Sequence, residues 1–101
     1  MDILTDGPTL VLCGDFDARS TSRVRSALHE RLEESDYEVV VDLTHVESVD
    51  LPALRVLAYA SHAAPRTGHH VTLRGCGPQV LRMLHLSRLI RFVEVDRDAA
   101  A

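Results

Sequence analysis

The chain has 101 residues, 46% hydrophobic and 26% charged, which fits one globular domain and excludes the polar, charge-heavy composition of a disordered segment. Eleven basic residues against fifteen acidic ones give a net charge of -4, the wrong sign for tracking a phosphate backbone. The longest apolar run falls well short of the roughly 20 residues that cross a bilayer, so neither a nucleic-acid partner nor a membrane span is expected.

Asp6, Gly7 and Pro8 turn the chain into an apolar, β-prone run from Thr9 to Gly14, the first predicted strand. Between Ser20 and Ser35, Val24, Ala27, Leu28 and Leu32 recur at helical spacing among charged residues, which predicts an amphipathic helix. From Glu38 to Leu43 the succession Val39, Val40, Val41 predicts an interior strand at the centre of a sheet. A second helix is expected to start at Asp50, because Asp caps the amides of a first turn and Pro52 is tolerated there. It runs through Leu54, Leu57 and Ala58, is largely buried, and ends near Pro65 and Gly68. Val71 to Arg74 repeats the strand signal, and Gly77 and Pro78 open a third helix with Val80, Leu81 and Leu84 inward. Phe92 to Val95 is the last short strand. Strands separated by helical crossovers give parallel neighbours, so the fold class is α/β.

The polar inventory argues against catalysis. The six histidines form no HExxH pattern, and His69 and His70 occupy a turn where adjacent side chains diverge. No phosphate-binding glycine loop or nucleophile elbow occurs, and lysine is absent, which excludes Schiff-base and P-loop chemistry. No catalytic residue, metal ligand or cofactor is assigned. Asp15, Asp17, Asp42 and Asp50 lie near strand ends, where α/β sheets place ligands, but capping and turn chemistry account for them. Cys13 and Cys76 lack metal-type spacing, and the first residues lack the order of a secretion signal. A reducing cytoplasm with both thiols free is the expected setting.

Gly14, Asp15, Phe16 and Asp17, then Val39 to Leu43 followed by Val46 to Asp50, then Leu84 to Phe92, resemble in order and spacing the STAS domain of bacterial anti-sigma factor antagonists. The resemblance implies one domain over residues 1–101 with a core at about 9–95. Its sheet would be mixed, mainly parallel and four- to five-stranded, with helices largely on one face. Arg88 stands where the family pattern has Gly. It also implies a non-enzymatic protein-interaction module that binds an anti-sigma factor or related regulator, an ATP-dependent kinase in the usual case. In that family a hydroxyl in the turn Asp, Ser, Ser or Thr, Gly, Leu accepts phosphate from the kinase. Here the segment is Asp50, Leu51, Pro52, Ala53, Leu54, so the capping Asp and trailing Leu remain while both hydroxyls are gone.

A phosphoryl acceptor needs a nucleophilic oxygen, and Pro52 has none. The expectation is a variant without a phosphorylation switch, with Asp17, Asp50, Leu51, Pro52, Ala53 and Arg55 as its partner-binding residues. Ser48, the nearest hydroxyl, is read as a turn residue bonded to its own backbone rather than a displaced phosphosite. Two rivals remain: a small-ligand or lipid-sensing module with a closed apolar pocket under the second helix, and an acidic-pocket phosphoacceptor that binds magnesium.

Overall fold

A computed structural model describes residues 1–96, and the chain enters through a hairpin that the sequence pattern did not reveal. Strand β1 (Asp2–Asp6) pairs antiparallel with β2 (Thr9–Phe16), with Asp6 opposite Thr9 and a two-residue loop of Gly7 and Pro8 between them. Gly7 has φ 57°, the left-handed conformation that such tight connections require. Helix α1 (Thr21–Glu34) then crosses to β3 (Glu38–Val49), α2 (Leu51–Ala63) to β4 (His70–Arg74), and α3 (Pro78–Leu86) to β5 (Glu94–Asp96). Each crossover returns to a parallel neighbour, giving a five-stranded mixed sheet in the order β1-β2-β3-β4-β5 with β3 at its centre.

The period-2 rule sorts the sheet into two faces. Leu10 and Leu12 on β2, Val39 and Val41 on β3, and Val71 and Leu73 on β4 are buried beneath the helices, while Val11 and Val40 between them are only half-buried. Phe16, Val24, Leu28, Leu54, Leu57 and Leu84 complete the same core. α2 ends at Ala63, and a 3-10 turn over Ala64–Thr67 closes on Gly68 at φ 78°.

Several boundaries differ from the sequence expectation. β3 runs on from Leu43 to Val49, paired with β2 alone, because the β3–β4 ladder stops at Asp42 opposite Arg74. Gly75 (φ 71°) turns the chain away at that point with its backbone pressed against Thr44. Leu89–Phe92 forms a 3-10 turn, so β5 begins at Glu94 rather than Phe92. Arg88 takes the left-handed conformation at φ 65°, the only non-glycine residue among those described to do so.

Candidate functional site

Asp50 organises the edge of the molecule where α2 begins. Its extended backbone (φ -109°, ψ 165°) delivers β3 into the helix, and its Oδ1 accepts the Ala53 N–H at 2.9 Å. The other oxygen, Oδ2, accepts the Ala18 N–H at 3.0 Å, and the Asp50 N–H donates to the Phe16 carbonyl at 3.2 Å. One carboxylate thus caps α2 and ties it to the loop between β2 and α1, 32 residues away in sequence. Leu51 and Pro52 follow in the first turn, where amides have no helical partner and the missing Pro N–H costs nothing.

Asp17 lies between Phe16 at the end of β2 and Ala18 in the loop, both of which bond to Asp50, and this places it beside the start of α2. It does not begin α1. Its Oδ1 accepts the Arg19 N–H at 2.9 Å and its Oδ2 pairs with Arg19 Nη2 at 2.8 Å. The Arg19 side chain holds the Asp17 carboxyl below its ordinary pKa. Ser20 Oγ accepts the Asp17 N–H and donates back to main-chain carbonyls, so the loop is fixed by its own side chains.

The four candidate contact residues that follow the cap, Leu51, Pro52, Ala53 and Arg55, have different fates. Pro52 and Arg55 are exposed, Leu51 is half-buried, and Ala53 is 0% exposed. Ala53 therefore leaves the set of candidate contact residues: its methyl packs into the core, and only its N–H serves the site. Ser48 also departs from expectation. It belongs to β3, not to a turn, and its hydroxyl donates to Asp15 Oδ1 at 2.7 Å because the β2–β3 register sets the two residues side by side.

The strand-end carboxylates do not converge. Asp15 holds Ser48, Asp17 holds Arg19, Asp50 holds two amides, and Asp42 pairs with Arg74 at 3.1 Å and accepts the Thr44 N–H at 2.9 Å. Burial raises the pKa of Asp42, but the bonds from Thr44 and Arg74 outweigh it and leave the carboxyl below its ordinary value. Among the described residues no three His, Cys, Asp or Glu side chains are placed to hold a metal ion. His69 contacts Thr67 and the Ser35 carbonyl, whereas His70 stacks on Tyr37, so the two imidazoles do diverge. Cys13 and Cys76 are free, Cys13 half-buried and Cys76 buried. Burial pushes the Cys76 thiol up to about 11.

Beside this edge is a feature the sequence reading missed. Leu51 on α2 and Gln79, Arg82, Met83, Leu86 and Ser87 on and after α3 line an open, mainly apolar groove of about 410 Å³. Its signal was present in the spacing 79, 82, 83, 86, a second stripe on α3 opposite the core residues Val80 and Leu84.

Comparison with known proteins places this architecture. The family model described as Mlab, STAS domain, matches residues 2–94. A candidate anti-sigma factor antagonist from Thermotoga maritima superimposes with a TM-score of 0.73 at 18% identity, covering 93% of this chain and 83% of that one. An anti-sigma factor antagonist from Mycobacterium paratuberculosis gives 0.71 at 21% identity, covering 97% and 87%. A sulfate transporter family protein from Wolinella succinogenes gives 0.72 at 16% identity, covering 86% and 73%. Among curated proteins none matches this sequence. At such identities the structural likeness establishes the fold, which serves both antagonists and transporters. With the family model spanning nearly the whole sheet and its helices, the chain belongs to the STAS domain family, of the type described as Mlab.

Proposed function

We propose that this chain is a non-enzymatic protein-interaction module of the anti-sigma factor antagonist kind, acting in cytoplasmic regulation of transcription. Its partner is an anti-sigma factor or related regulator, including the ATP-dependent kinase type. The contact surface is the start of α2, presented by Pro52, Leu51 and Arg55 with Asp17 beside them and Asp50 as the brace beneath. The observation that carries this reading is the exposed, hydroxyl-free Pro52 at a helix start held by both oxygens of one carboxylate. A phosphate there would add nearly two negative charges and repel an acidic or apolar surface. With Pro52 in that place, binding proceeds without that switch. The rival small-ligand or lipid-sensing module needs a closed pocket beneath α2, where Ala53, Leu54, Leu57 and Ala58 are buried in the core.

The test is affinity capture from the native cell with the full chain and with Pro52→Glu. Glutamate suits a first helical turn and places negative charge where phosphate would sit, so the fold survives while the partner is lost. Retention of the partner by Pro52→Glu moves the interface elsewhere. Incubation with the captured kinase and ATP leaves residues 50–54 unmodified; phosphate on Ser48 or Thr44 overturns the switchless reading.

A further inference from the structure

We propose that the groove between the start of α2 and α3 receives an acidic amphipathic segment of a protein partner. Its apolar side chains sit on Leu51, Met83 and Leu86, and its carboxylates meet Arg82 and Arg55. The proposal rests on the interaction reading above and names the chemistry of the partner at that surface.

α3 satisfies the core with Val80 and Leu84, yet on its other side Leu86 stands 76% exposed at the end of an apolar groove. The groove's volume of about 410 Å³ lies within the range of roughly 300–1,000 Å³ typical of sites that enclose a ligand group. Charge then selects the occupant. No Asp or Glu occurs from Leu51 to Val93, whereas that stretch carries six arginines; the acidic residues that make the chain anionic all lie outside it. α2 and α3 carry one arginine each, Arg55 and Arg82, and no Asp or Glu, so both helices are cationic within a chain of net charge -4. Arg82 lines the groove, and Arg55 stands one helical turn beyond Leu51 on the same face of α2. Among the described residues neither arginine makes an ion pair, unlike Arg19, Arg31 and Arg74.

An apolar seat flanked by two unpaired guanidinium groups complements a helix or extended segment with apolar anchors and flanking carboxylates. A basic segment would meet like charge. An anionic bilayer is disfavoured because Leu51 and Met83 are half-buried, which leaves Leu86 as the one widely exposed apolar side chain lining the groove, far less than the apolar face by which a helix inserts.

The experiment is selection of helix-length peptides from a randomised display library on the full chain. Backbone amide shifts are then mapped and affinities measured against Leu86→Asp and Arg82→Glu. The expected binders are acidic and amphipathic, shift Leu51, Arg82, Met83 and Leu86, and weaken as salt rises. Each variant weakens binding by about tenfold or more, and Arg82→Glu gains affinity for the same peptide with lysine in place of glutamate. Binders without acidic bias, shifts elsewhere, or no peptide binder at all overturn the proposal. So does binding to phosphatidylglycerol vesicles that the same variants abolish while peptides fail to bind. A cellular partner lost by Pro52→Glu but indifferent to Leu86→Asp and Arg82→Glu refutes the groove and leaves the interaction reading standing.

Discussion

Replacing Asp50 by alanine removes two hydrogen bonds that hold two different segments. The cap on the Ala53 N–H at 2.9 Å corresponds to about 1 kcal/mol, as for other Asp caps. The bond to the Ala18 N–H at 3.0 Å involves a charged acceptor but is exposed, so about 1 kcal/mol is appropriate for it as well. Asp50→Ala is expected to cost about 2 kcal/mol, seen as a fall in Tm of about 8–16 °C for a domain of this size. Asp50→Asn separates the two terms. Its single amide oxygen keeps the cap, while its NH2 faces the Ala18 N–H, so about half the loss is expected. Urea unfolding followed by circular dichroism measures both, with an unchanged slope required for the comparison. Equal losses for Asn and Ala, or a loss below about 0.5 kcal/mol for Ala, would refute the claim that one carboxylate joins α2 to the β2–α1 loop.

Three further outcomes follow from the backbone and from the part-buried pair of Asp42 and Arg74. Gly75→Ala is expected to destabilise by more than about 2 kcal/mol, since a Cβ at φ 71° would overlap Thr44 Oγ1 and lie 2.9 Å from the Thr44 nitrogen. Denaturant midpoints measure this; a loss below about 1 kcal/mol would contradict the close approach. Arg88→Gly relieves a left-handed non-glycine residue at φ 65° and is expected to raise stability by up to about 1 kcal/mol in the same assay. Asp42, whose folded pKa lies below its ordinary 3.8, contributes stability that is present above that value and lost as pH falls through the lower folded one. Asp42→Asn should therefore be less stable than the parent at pH 7, with the gap narrowing below about pH 4. A gap independent of pH would remove the ionised carboxylate from the account.

Patterns within single segments carried most of the fold. The valine run announced the central strand, Asp50 with Pro52 announced the start of α2, and Gly77 with Pro78 announced α3. β1 escaped because an edge strand whose residues are mostly exposed is stabilised by pairing with β2, not by a burial pattern of its own. The extension of β3 escaped because Thr44, His45, Glu47 and Ser48 are exposed and held by register with β2. At the site, the cap role of Asp50 was legible locally, whereas its second bond to Ala18 required the β2–α1 loop to arrive from 32 residues away.

By itself the sequence determined the α/β class, the capped start of α2 and the loss of any hydroxyl at Pro52, because these depend on side-chain chemistry and on periodicities of a few residues. Tertiary packing alone decided that Ala53 turns inward, that Ser48 bonds to Asp15, and that Leu51 meets Met83 and Leu86 in a groove flanked by arginine. Those outcomes depend on which faces of separate elements are brought together, and no local pattern encodes that distance-spanning choice.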